Sequence, residues 1–181
     1  GSASCTSCLT RAVFVESAAT TGLEKRNNIF VISRGGTGDK QSMFFAPASV
    51  AGFTINNNVH FLNPSIAGTV EVPRVGATSY TTFADWQLNG QDLDGASTDP
   101  FFTDVANGDL KPQEPTIDNI GEPVGISTDI TGASRSITNP DPGAYEFGSP
   151  IRVTLVNFRG EQARSVNRLM WTTSTEINNL G

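Results

Sequence analysis

The stretch that most constrains the fold is residues 99–147, DPFFTDVANGDLKPQEPTIDNIGEPVGISTDITGASRSITNPDPGAYEF. Short apolar pieces recur along it: Phe101-Phe102, Leu110, Ile117, Val124 with Ile126, Ile130, and Ala144 to Phe147. Between them stand Gly, Pro, Asn and Asp, which supply positive φ, a φ fixed at about −65°, or a side-chain bond to the backbone. No window repeats apolar residues at helical spacing for long enough to make a helix. The segment reads as strand, turn, strand, turn, the closing piece of a larger β structure.

Ahead of it, Arg11-Ala-Val-Phe-Val-Glu16 and Asn27-Asn-Ile-Phe-Val-Ile-Ser33 are short runs rich in β-formers, and Arg34-Gly-Gly-Thr-Gly-Asp39 is a loop. Gly52-Phe-Thr-Ile55 and Asn58-Val-His-Phe-Leu62 form a third pair of strands. The interval from Ile29 to Val59 matches one coil of a stacked architecture, whose repeats span roughly 20–45 residues. Asn27-Asn28 and Asn56-Asn57-Asn58 flank the strands, where Asn tolerates the left-handed region and bonds neighbouring backbone. Residues 79–90, SYTTFADWQLNG, are the one helix predicted. Thr82 with Asp85 makes a capping pair, Asn89-Gly90 stops the helix, and Phe83, Trp86 and Leu88 are expected to pack.

Composition agrees with an all-β chain: 17% charged residues, with 18 Gly and 10 Pro. The net charge of −6 argues against nucleic acid, which is held by clustered Lys and Arg. No run approaches the roughly 18 apolar residues of a membrane span. Gly1-Ser2-Ala3-Ser4 lacks the basic-then-apolar pattern of a signal peptide, and is read as a vector remnant or the start of a fragment.

Chemistry is sparse. Cys5 and Cys8 lack the further ligands that structural zinc needs, and no β-α-β pattern accompanies them; they are expected to pair with each other or with an upstream region. His60 is the only imidazole and alternates with Val59 and Phe61, as a strand residue would. Asp92, Asp94 and Asp99 invite a calcium reading, but the loop lacks the bidentate Glu of an EF-hand, which favours a turn with side-chain bonds to backbone. Asp104, Asp109, Asp118, Asp129 and Asp141 adjoin turn residues and are read as turn formers. No catalytic, cofactor-binding or metal residue is assigned.

After Gly148-Ser-Pro150, Ile151 to Phe158 alternates, Arg159-Gly-Glu-Gln162 reads as a turn, and Val166 to Thr173 as another strand. Two strands do not hold themselves folded. They are expected to pack on the β structure or to present a partner-seeking edge.

Four motifs carry a resemblance: Asp99-Pro-Phe-Phe102; Leu110-Lys-Pro112 with Pro115-Thr-Ile-Asp118; Asp129-Ile-Thr-Gly132 followed by Arg135; and Asp141-Pro-Gly-Ala-Tyr-Glu-Phe147. In that order they resemble the C-terminal end of secreted bacterial right-handed parallel β-helix proteins, the pectate-lyase-like superfamily. Glu114, Thr116, Asn119 and Pro142 depart from the usual pattern. The resemblance implies an all-β fold: the last coils and capping segment of a right-handed parallel β-helix over residues 1–149, with a short β-hairpin tail over 150–181. That tail looks like the start of an immunoglobulin- or fibronectin-like module of the kind found before type IX secretion sorting domains. A secreted, extracellular or cell-surface location is implied, without cofactor unless calcium. The function expected is a non-catalytic structural or adhesive module capping the β-helix. The alternatives are a fragment of a polysaccharide lyase or glycoside hydrolase, or a carbohydrate-binding module using Tyr80 or Trp86. Expected partners are N-terminal coils of the same polypeptide, other protein chains, or polysaccharide.

Overall fold

A computed structural model describes residues 7–62, 68–148, 155–163 and 166–173. The chain is mostly β and divides into two units, residues 1–147 and 148–181.

In the first unit, successive passes of the chain stack in parallel. Thr10–Val15 (β1) pairs with Lys40–Phe45 (β4), Thr10 facing Lys40. Glu24–Arg26 (β2) pairs with Thr54–Asn56 (β5), and Ile29–Ile32 (β3) with Val59–Leu62 (β6), Ile29 facing Val59. A third pass places Val70–Glu71 (β7) and Arg74–Val75 (β8) on β4, Lys40 facing Val70 and Phe44 facing Arg74. The step between layers is 30 residues, the interval expected from Ile29 to Val59. Thr78–Ser79 (β9) turns back antiparallel on β8.

Alternation decides what each layer buries. In β3, Phe30 and Ile32 are buried while Ile29 and Val31 are only partly so. Phe30 joins Met43, Phe45, Val50, Phe53, Ile55, Val72, Val75 and Trp86 in one apolar cluster, so the layers share a continuous interior. β4 does not read as a strand in the sequence, because it opens on Lys40-Gln-Ser, yet Lys40, Gln41 and Ser42 are fully or almost fully buried. The Lys40 ammonium donates to the Gly36 and Gly38 carbonyls, which lets it leave water. Gln41 lies in a column one residue wide: Arg11 Nε donates to Gln41 Oε1 at 2.6 Å, and Gln41 Nε2 donates to Glu71 Oε2. Arg74 pairs with Glu71 at 3.7 Å, and Ser79 Oγ donates to the same carboxylate.

Phe83–Leu88 (α1) forms where the sequence predicts a helix. Thr82 caps it, accepting from Asp85 N at 3.1 Å, and Gly90 has the positive φ of a helix stop. Phe83 and Trp86 pack, but Leu88 is 87% exposed, contrary to expectation. Residues two apart on a helix do not share a face, so burying Trp86 turns Leu88 outward. After α1, residues 92–96 lie along the edge of β5 and β6: Asp92 N donates to Ile55 O, Ala96 N to Asn58 O, and His60 N to Ala96 O.

Residues 99–147 correct a second expectation. They contain two short 3-10 turns, Val105–Asn107 and Pro115–Ile117, and two isolated bridges, Asp104–Asp109 and Thr128–Ser134, but no strand of the alternating kind expected. Pro100, Pro112, Pro115, Pro123, Pro140 and Pro142 remove ladder donors, and Phe101 and Asn119 take left-handed backbone. Ile117 and Phe147 bury themselves with Val59, while Ile29, Ala96 and Ile120 pack beside them. Ile29 points away from the side that carries Phe30. This segment therefore lies along the outward face of β3 and β6, whereas residues 92–96 lie along the edge of β5 and β6. Gly143 permits the approach, since a Cβ there would stand 2.9 Å from Ile29 Cδ1.

The second unit is a hairpin of Leu155–Ala163 (β10) and Val166–Thr173 (β11), with a bulge between Leu155 and Asn157. The turn expected at Arg159-Gly-Glu-Gln162 is strand instead, with Arg159 facing Met170 and Glu161 facing Arg168. Opposite charges across the pair, 3.9 Å apart, suit paired strands better than a reversal. Phe158, Leu169 and Trp171 share one face and are exposed.

Candidate functional site

The candidate chemistry gathers at Asp92. This residue takes left-handed backbone (φ 47°) just after α1 and turns its carboxylate inward, fully buried. Oδ1 accepts from Asn58 N at 3.1 Å and Asn58 Nδ2 at 2.7 Å; Oδ2 accepts from Trp86 Nε1 at 2.9 Å and lies 3.1 Å from His60 Nε2. Donors to both oxygens offset the cost of burying this polar group. The His60 ring lies between Phe30 and Phe83, with centroids 5.3 and 5.6 Å away, and its Nδ1 has no partner. His60 and Asp92 have no exposed surface, so the pair resembles a catalytic dyad in composition and a core clamp in position. His60 is a strand residue of β6, as expected, and its side chain is fully buried.

Asn58 is the middle of a column. Asn28 N and Nδ2 donate to Asn58 Oδ1, both at 2.9 Å, as Asn58 N and Nδ2 donate to Asp92 Oδ1. The second proton of each side-chain amide goes to a backbone carbonyl, Arg26 O from Asn28 and Lys25 O from Asn58. Asn27 and Asn57 adopt the left-handed region expected of them. Asn27 exchanges two bonds with the backbone of Glu122, and Asn57 Nδ2 donates to Ile120 O.

The three carboxylates of the calcium reading go separate ways. Asp92 faces the interior, Asp94 exchanges bonds with Asn56, and Asp99 accepts from Phe101 N. Among the described residues, no group of three or more His, Cys, Asp or Glu is placed to hold a metal ion. Cys8 is disulfide-bonded, and Cys5 lies outside the described residues.

The acids of residues 99–147 set turns. Asp104 caps the first 3-10 turn, and the Asn107 side-chain amide holds its carboxyl below the usual value. Asp129 accepts from the Thr131 hydroxyl and from the backbone N–H of Glu146, Thr131 and Ala133; these bonds, the hydroxyl foremost, hold its carboxyl well below the usual value. Asp141 accepts from Asn119 N and Phe147 N, both at 2.6 Å. Burial pushes it up to about 6, against those two bonds and with help from the nearby charges of Glu146 and Asp118. Arg135 ties this region together, donating to Asp141 O and Gly143 O and pairing with Glu146 at 3.4 Å.

A polar cleft of about 410 Å³ is lined by Asn56, Asn57, Asp94, Asn119, Glu122 and Asn139, among others. The aromatics suggested for sugar stacking do not line it. Trp86 is fully buried, and Tyr80 packs edge-on against it at 5.2 Å. What the sequence does not reveal is the buried role of Asp92, whose partners Asn58 and His60 lie 34 and 32 residues away. The available signal was the 30-residue spacing of Asn28 and Asn58.

Compared with family models, with curated proteins and with solved structures, the chain matches none.

Proposed function

We propose that this chain forms the closing end of a right-handed parallel β-helix and serves as a non-catalytic structural or adhesive module, displayed outside the cell or at its surface. The observation that carries the reading is the column Asn28–Asn58–Asp92. Each Asn passes its donors to the next layer, and Asp92, which has no side-chain amide, ends the series. The 30-residue register of three parallel pairings supports the same reading. So does the burial of the sole imidazole, which takes no substrate where it lies.

The test has two arms. Incubating the purified chain with acidic and neutral polysaccharides should release neither unsaturated products nor reducing ends; turnover by this chain would overturn the non-catalytic role. Fractionating cells that make the natural gene product should place it outside the cytoplasm, and a cytoplasmic product would remove the surface role.

The polar cleft favours a second reading, a site for a hydroxyl-rich chain such as a polysaccharide. Its lining is rich in amide and carboxylate oxygens that accept from hydroxyl groups. Saturable binding of a polysaccharide, lost in Asp94→Leu, would support it.

A further inference from the structure

We infer that the free edge of the first layer is a docking surface for one more parallel coil, which places an Asn against Asn28. This rests on reading the first unit as stacked coils. Among the described residues, β1, β2 and β3 each pair on one side only, with β4, β5 and β6. Their other edges carry backbone groups that an added strand satisfies. Apolar side chains stand at the same end: Val13, Val15 and Leu23 belong to the interior but are only partly buried, and Phe14 is about half exposed.

The Asn column identifies the occupant. Asn58 Oδ1 receives a backbone N–H and a side-chain amide from the layer before it, and Asp92 Oδ1 receives the same pair. Asn28 Oδ1 receives no bond from the described residues, and both protons of its Nδ2 are already spent on Asn58 Oδ1 and Arg26 O. What is missing is a pair of donors. A parallel coil with Asn in register supplies both. A second copy joined at the same end does not, because it brings a second Oδ1 acceptor with no proton left to give. Head-to-tail stacking of copies brings Asp92 against Asn28, and Asp92 has no side-chain amide to donate while its backbone N–H is already bonded to Ile55 O. Layers follow one another in sequence, entering at Thr10, Lys40 and Val70. The docked coil is therefore polypeptide that leads into Thr10.

A tandem chain tests this, with a copy of residues 40–69 fused ahead of Thr10 in the full protein. The copy puts the equivalent of Asn58 against Asn28 and the equivalent of Gln41 against Arg11. Hydrogen exchange at backbone amides of β1, β2 and β3 should slow by about tenfold or more, and the copy should resist protease. Replacing the copied Asn by Leu should reverse much of the protection. Normal exchange at β1 to β3 with a protease-sensitive copy would overturn the docking surface. Unchanged protection after the Leu replacement would overturn the role given to Asn28. In the unextended chain, Asn58→Leu probes the stacked-coil reading itself. If that change lowers stability while the copy fails to dock, the docking surface alone is lost; if it leaves stability untouched, the underlying reading is lost.

Discussion

Asn27 and Asn57 hold the same left-handed backbone, φ 56° and 57°, one layer apart, and both turn their side-chain amides onto the backbone of residues 120–122. They are the rivets by which the irregular segment is fixed to the layered one.

Replacing Asn27 by Gly keeps the backbone conformation open and removes the side chain. Both bonds to Glu122 are lost, which should cost about 1–3 kcal/mol. Asn57→Gly loses one bond and should cost less. Urea denaturation of the two variants checks the order, and equal losses would count against it.

Asp92→Ala should be the most damaging of these substitutions. It leaves donors of Asn58 and Trp86 unpaired in the interior and removes the contact to His60, with each orphaned donor costing about 1–3 kcal/mol. Asp92→Asn keeps an acceptor for Asn58 and should cost less. Thermal melts of both compare them, and an unchanged Tm in Asp92→Ala would remove the carboxylate from its central place.

Trp86 and Leu88 make a paired control. Trp86→Ala empties a fully buried site and should cost about 3–5 kcal/mol, whereas Leu88→Lys should fall within about 0.5 kcal/mol of the parent. A large effect at Leu88 would mean that its exposed face is covered in solution.

Stability should depend on pH through Asp141. Its folded pKa, raised to about 6, exceeds the unfolded value of about 3.9, so the native state holds the proton more tightly. The contribution is complete below pH of about 4 and is lost as pH rises through about 6. Asp129 works in the opposite sense, because its depressed pKa adds stability that is lost as pH falls below the usual carboxyl value. Asp141→Asn should flatten the decline between about pH 4 and 6 when Tm is followed across that range.

In the hairpin, Phe158, Leu169 and Trp171 expose an apolar face. Trp171→Lys should weaken dye binding to exposed apolar surface and reduce self-association in sedimentation velocity. No change in either would show that the face is covered in solution.

Features governed by local chemistry were legible in the sequence: the Thr82 cap, the Gly90 stop, the left-handed Asn27 and Asn57, and the step from Ile29 to Val59. What escaped depends on residues brought together by stacking. Lys40 and Gln41 look like surface until the Gly36 and Gly38 carbonyls, Arg11 and Glu71 are placed around them. Asp92 sits in a stretch that reads as a surface turn, while its function in the core is set by Asn58 and His60. Residues 99–147 resist reading because isolated apolar residues between turns look like short strands. Ile117 and Phe147 act as single plugs on a surface made by other strands. The turn expected at residues 159–162 failed for a related reason, since Glu161 and Arg168 define a strand pair only once they face each other.

The column Arg11–Gln41–Glu71 bears on how such a chain can change length over generations. Arg11 can only donate, Glu71 when ionised can only accept, and Gln41 does both. Copying the first layer sets two guanidiniums in contact, and copying the third sets two carboxylates together. Copying the middle layer places amide against amide, and deleting it lets Arg11 meet Glu71 directly. Along this column, gene duplication and loss are tolerated at the centre and penalised at both ends.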